Sequence, residues 1–216
     1  MKSELSGLEG EDKKVLEQEI REIVMAELDK VYALAEVTLQ QQEAGKDVQD
    51  LKAYVLELLT KVPEVIEWSM QHFRDDISQL ESERSVASGS ELAILAEQIG
   101  ILESGIDDLY QTNATYLLEL GKMGVEHAAQ TENFKLELRL RARLMAGRLK
   151  KHIAERRVLQ RRVSAGSDDS GLSLRLAASQ INIDTEITSL EKLVKLMEPL
   201  ELPVSTYRAL LVQSTS

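Results

Sequence analysis

At 216 residues, 24.2 kDa and a net charge of −11, with 43% hydrophobic and 29% charged residues, the chain is long enough to bury a sizeable core and is not disordered by composition. It has no cysteine, which excludes disulfide scaffolds, thiolate zinc and iron–sulfur sites and cysteine nucleophiles, and its 37 Asp+Glu against 26 Lys+Arg argue against the whole chain being a nucleic-acid binder. Aromatics are only 4%, with Trp68 alone of its kind, so a core must come from Leu, Ile, Val, Ala and Met, residues that suit helix–helix seams.

Residues 1–10 carry Gly7 and Gly10 and no periodicity, and read as a frayed leader; Met1-Lys2-Ser3-Glu4 lacks the apolar stretch of a signal peptide. From about Glu11 to Ala44, Leu16, Ile20, Ile23, Leu28, Val31, Leu34 and Thr38 recur at helical spacing, which predicts a first long helix. Gly45 and Asp47 supply a stop and an N-cap, and Val48, Leu51, Val55, Leu58 and Val62 begin a second helix. Beyond Pro63 the stripe continues through Val65, Ser69, Phe73, Ile77 and Leu80, so a kink at Pro63 is expected rather than a full stop.

After the joint at Ser85–Ser90, the residues Leu92, Leu95, Ile99, Leu102, Ile106 and Leu109 alternate by three and four as a heptad seam. The seam runs on through Asn113 and Tyr116 to Leu120, placing Asn113 at a core-type position where a polar side chain fixes register. Gly121–Gly124 ends this third helix. A fourth, capped near Thr131 or Asn133, runs from about Phe134 to Val163 with Leu138, Met145, Leu149, Ile153, Leu159 and Val163 on one side. The loop Ser164–Gly171 leads to a fifth helix carrying Leu172, Leu176, Ile183, Ile187, Leu190, Val194 and Met197, which Pro199 and Pro203 terminate before a short helix over Val204–Gln213. The fold expected is all-α, an elongated antiparallel bundle or set of helical hairpins with coiled-coil-like seams: a leader 1–10, an N-terminal hairpin 11–86 and a C-terminal bundle 87–216. No run of ~18 uncharged apolar residues suggests a membrane span.

Charge is uneven. Residues 135–162 hold eleven Lys or Arg and only Glu137 and Glu155, a local charge of +9, so the remainder carries −20. Solvation or pairing with acidic neighbours in the bundle accounts for this; anionic lipid headgroups are the sharper alternative. Nucleic acid is disfavoured, because beyond Phe134 the stretch has no aromatic on which bases would stack. None of His72, His127 and His152 has a Glu three residues before it, which excludes the di-iron bundle signature. His72, Asp75 and Asp76 share a helical face, but a surface histidine beside acids is the commoner meaning of that spacing. Asp168-Asp169 lacks the alternating oxygen ligands of a calcium loop, and hydrolase, P-loop and dinucleotide fingerprints are missing. The sequon Asn113-Ala114-Thr115 lies mid-helix and reads as coincidence. No catalytic, cofactor-binding or metal residue is assigned, and no cofactor, nucleic acid or small-molecule substrate is expected.

Several segments of the second half carry a family likeness. They are Ile106-Asp107-Asp108-Leu109-Tyr110, the run Arg141-Ala142-Arg143-Leu144-Met145-Ala146-Gly147-Arg148-Leu149, Glu155-Arg156-Arg157, and the Asp-containing loop after Val163. To these are added Ser189–Met197, Leu200-Glu201-Leu202-Pro203 and Tyr207-Arg208-Ala209-Leu210-Leu211. Together they make the stretch from Asp107 to Val212 resemble the helical extramembrane region that precedes the channel part in bacterial mechanosensitive channels of the small-conductance family. The resemblance implies a non-catalytic N-terminal domain, periplasmic, of an inner-membrane protein whose signal and membrane parts lie outside these residues. Its implied partners are its own channel domain and neighbouring subunits, with lipid headgroups in reach, and its role is to modulate assembly or gating. The pore helix and the β-rich cytosolic domain of that family are not in this chain, so this piece does not itself conduct. The residues alone leave open a free-standing, cytoplasmic helical scaffold that binds a partner helix or its own copy.

Overall fold

A computed structural model describes residues 11–88, 90–165 and 171–214, with side chains from residue 26 onward; the leader 1–10, the side chains of Leu16, Ile20 and Ile23, and Asp168-Asp169 lie outside the described residues. The fold is all-α, with no strand among the described residues. The helices are α1 (Glu11–Glu43), α2 (Gln49–Leu59), α3 (Val62–Val86), α4 (Glu91–Lys122), α5 (Ala128–Ser164), α6 (Leu172–Met197) and α7 (Ser205–Ser214), with a 3₁₀ turn at Glu198–Leu200.

The joints follow from local chemistry. At the end of α1, Gly45 takes φ +74°, the Lys46 amide donates to Gln41 O and the Gly45 amide to Gln42 O, the left-handed closure that glycine makes cheap. Asp47 Oδ1 then accepts the Gln49 amide at 3.2 Å and opens α2. Gly124 closes α4 in the same way, with φ +75° and the Val125 amide donating to Leu120 O. After α6 the same closure is made by Glu201, at φ 57°, with the Leu202 amide on Met197 O. At Pro63 the chain does not bend one helix; it stops α2 at Leu59 and starts α3 at Val62. Proline has no N–H to give and its ring collides with the carbonyl four residues back, here Leu59, whereas in the first turn of a new helix neither matters. α5 begins six residues before the sequence-expected Phe134, because Ala128-Ala129-Gln130 are strong helix formers with nothing to break the turn.

By its internal packing the chain divides into two units: Met1–Ser69 with Thr115–His127, and Met70–Ala114 with Ala128–Ser216. These borders fall inside α3 and α4, whereas the sequence reading places its boundary at the joint near residue 87. In the first unit α1 packs on α2. Leu28, Ala35, Val55, Leu59, Val62 and Ile66 are buried there together with Tyr116, Leu120 and Met123. Thr38, on the α1 stripe, is fully buried and donates its hydroxyl to Leu34 O at 2.7 Å, which satisfies it inside its own helix.

In the second unit α5 and α6 pack antiparallel: Ser179 faces His152, and Glu186 faces Arg148. α4 and α5 are also antiparallel, with Glu103 beside Arg148 and the Tyr110 ring 6.3 Å from the Phe134 ring. α4 and α6 run parallel, since Gly100 lies against Thr185 and Asp108 against Lys192. Ile106, Leu138, Met145, Leu149, Leu190, Leu193 and Met197 are nearly or fully buried, each leucine contributing roughly 1.5–3 kcal/mol. Two expected seam positions differ. Asn113 is only half-buried, and Val163 is 47% exposed because α5 ends one residue later.

Candidate functional site: a buried charge cluster

The heptad logic of α4 puts Glu103 and Asp107, one turn apart, on the side that also carries Ile99 and Ile106. On α5, Arg141 sits between Leu138 and Met145 on the buried stripe, with Arg148 two turns on. On α6, Glu186 and Ser189 flank the same seam as Ile183 and Leu190. Packing the three helices therefore brings these charges together in the interior: Asp107 is 1% exposed, Glu103 2%, Glu186 5% and Arg141 8%, so bulk water does not screen them.

Arg141 is the centre. Its Nε and Nη2 donate to Asp107 Oδ1 at 3.3 and 3.1 Å, and Nη2 also donates to a Glu103 carboxylate oxygen and, at 3.4 Å, to the Glu103 backbone carbonyl. Arg148 Nη1 donates to the other Glu103 oxygen and lies 3.9 Å from Glu186 Oε1, while its Nη2 lies 3.9 Å from Glu81 of α3. Ser189 adds a hydrogen bond to Asp107. A flanking pair joins the parallel helices, with Lys192 Nζ donating to Ser104 Oγ at 3.0 Å and to Asp108 Oδ1 at 2.7 Å.

The cluster is unbalanced: three buried carboxylates share two guanidiniums. Burial pushes the Glu186 carboxyl up to about 7, with the nearby Glu103 and Asp107 carboxylates adding to the rise and Arg148 and Arg141 opposing it. Asp107 is also pushed up, by burial first, against the pull of Arg141. Burial works against the Arg141 cation, yet Glu103 and Asp107 outweigh it and its pKa is raised. Two acceptor atoms, Asp107 Oδ2 and Glu186 Oε2, are buried without a hydrogen-bond partner. Glu186 Oε2 is thus where a proton brings the group to neutrality. A cleft of about 410 Å³ borders Glu103, Glu186 and Arg148, with His152, Lys151 and Glu81 on its wall. The arrangement can hold one proton and lock the register of three helices.

The residues singled out in the sequence lie elsewhere. Asp75 accepts from Gln71 Nε2 at 2.8 Å and is exposed, and no group of three His, Cys, Asp or Glu side chains able to hold a metal occurs among the described residues. His127 Nδ1 is 2.8 Å from Val125 O and His152 Nδ1 is 3.3 Å from Glu155 Oε2. The basic stretch of α5 splits in character. Arg141, Arg148, Lys135 and Lys151 have acidic partners, whereas Arg143, Lys150, Arg157, Arg161 and Arg162 are exposed with no ion pair among the described residues. Glu103, Asp107 and Glu186 were not signalled as interior by their charge, but each occupies a stripe position between apolar neighbours.

No protein-family model, no curated protein and no solved structure matches the chain. No helix among the described residues is long and apolar enough to cross a membrane.

Proposed function

We propose that this chain is a non-catalytic helical domain that works by packing against other helices, as the extramembrane, periplasmic part of a mechanosensitive channel, where it modulates assembly or gating. The observation that carries the packing role is a row on α5: Leu136, Leu140 and Leu144, at four-residue spacing, are 53%, 55% and 48% exposed. They stand on the side of the helix opposite Leu138, Met145 and Leu149, which are fully buried. A leucine row with Arg143 beside it offers a partner helix an apolar seam with a basic edge. The channel setting is supported by the likeness of the stretch from Asp107 to Val212. A partner packed on the row in only one of two channel states shifts the balance between closed and open by the difference in packing free energy. The free-standing scaffold, cytoplasmic and binding a partner helix or its own copy, uses the same row.

The test is patch recording under stepped suction, in cells lacking their own stretch-activated currents. The complete gene product is compared with the same product lacking residues 1–216 and with its Leu140→Lys variant. Stretch-activated current is expected in all three, with the pressure threshold moved by the deletion and in the same direction by Leu140→Lys. A product that is not membrane-inserted, or is inserted and silent, removes the channel setting and leaves the scaffold. An unchanged threshold, together with unchanged sedimentation of Leu140→Lys, removes the packing role.

A further inference from the structure

Where the last turns of α3, the first of α4, the C-terminal half of α5 and the start of α6 meet, the second unit has an open cleft of about 540 Å³, within the range of small-molecule sites. Three helices each send one arginine to it: Arg84 from α3, Arg162 from α5 and Arg175 from α6. In a chain with 37 acidic residues against 26 basic ones, counter-charges are plentiful, yet none of these three guanidiniums makes an ion pair among the described residues. Among the described residues the carboxylate on the wall is Glu155, which is already engaged by His152 Nδ1 at 3.3 Å and Lys151 Nζ at 3.8 Å. The rest of the surface is largely apolar, with Leu92, Val158 and Leu159 contributing to it, and among the described residues that line it there is no aromatic ring on which a base would stack.

We infer that this cleft binds a small amphiphile with an oxyanion head, phosphate or carboxylate, and an apolar tail. Guanidiniums present paired donors that fit both oxyanions bidentately, and three from separate helices line the same cleft. The tail is required by the apolar wall, which gains nothing from a bare anion but roughly 25 cal/mol for each Å² it covers. The inference does not depend on the channel setting.

Decyl phosphate, kept below its micelle concentration, is titrated into the protein by calorimetry and by methyl NMR. Saturable binding is expected, with shifts at the Leu92 and Leu159 methyls. Inorganic phosphate and decanol should each bind at least tenfold more weakly, since each lacks one half of the recognition. Arg175→Gln and Arg84→Gln should each weaken decyl phosphate about tenfold, the loss of one charge-assisted hydrogen-bonded pair. Arg175→Lys should recover part of this, and Lys150→Gln, exposed on α5 outside the cleft, should change nothing. Thermal melting checks that each variant is folded. Decanol binding as tightly as decyl phosphate, or affinity unchanged in both Gln variants, overturns the inference. So does loss of co-sedimentation with phosphatidylglycerol vesicles in Arg175→Gln without any monomer binding, which assigns the arginines to a bilayer surface.

Discussion

Glu186 offers a direct way to ask whether the buried cluster carries a proton at neutral pH. The native carboxyl titrates at about 7, against 4.5 for an unperturbed glutamate. Between those values the folded chain holds a proton that the unfolded chain has lost. The associated stability is therefore fully present below about pH 4.5 and falls as pH rises through 7. At ~1.4 kcal/mol for each pH unit of that interval the loss is on the order of 3 kcal/mol, a large share of a typical domain's stability. Glu186→Gln replaces the protonated acid by a neutral near-isostere and removes the titration. Stability of the two proteins should be nearly equal at pH 4, and at pH 8 the variant should be more stable by up to ~3 kcal/mol. The comparison is made by urea unfolding at several pH values. His152, whose pKa burial lowers and which acts in the opposite sense on acidification, is common to both proteins and largely cancels in the difference, whereas Glu103, Asp107 and Arg148, which act directly on Glu186, respond to its replacement. If Glu186→Gln is instead the less stable protein at pH 8, Arg148 stabilises the Glu186 carboxylate by more than burial penalises it, and the carboxyl is not raised above its ordinary range.

Arg141→Met should cost roughly 3–5 kcal/mol in urea unfolding, because it strands Asp107 without its cation and leaves Glu103 to Arg148 alone; adding Asp107→Asn should recover much of the loss. Two glycines should move in opposite directions in thermal melts. A Cβ at Gly105 would meet the Phe73 ring at 2.7 and 2.9 Å, so Gly105→Ala should destabilise by ~1–3 kcal/mol. At Gly147, with nothing within 4 Å, Ala should stabilise by ~0.5–1 kcal/mol through helix propensity alone; equal effects at both sites would mean the α3–α4 contact is misplaced.

The helices were legible because the interior is mostly aliphatic: the three-and-four spacing of Ile99, Ile106 and Leu109, or of Ile183, Leu190 and Met197, needs no tertiary knowledge to interpret. Joints were legible where one residue decides them, as at Gly45 and Gly124. Pro63 was placed correctly but its effect was not, since the sequence stripe continues across a break as smoothly as across a bend. The charge cluster escaped because periodicity sorts residues by polarity. Arg141 falls on the same stripe as Leu138 and Met145, yet in a stretch with eleven cations it reads as one more solvated arginine. What buries it is the pair of acids on α4, contributed from far along the chain, and no local pattern reports that. Asn113, the polar residue the heptad did nominate, turns out half-buried, so position on a seam is not enough without the partner that answers it.

Because the borders of the two units fall inside α3 and α4, neither unit is one continuous stretch of chain: Thr115–His127, which completes the first, lies between the two stretches of the second. The order of synthesis then matters. Met1–Ser69 leaves the ribosome early but lacks Tyr116, Leu120 and Met123, and must wait while Met70–His127 is made, several seconds at ~5–20 residues per second. During that interval the first unit lacks part of its buried set, and incompletely covered apolar surface of that kind favours aggregation. The same geometry defeats dissection by a single cut. Dividing the gene at the joint near residue 87 separates α4 from the first unit, and neither piece then contains a whole one.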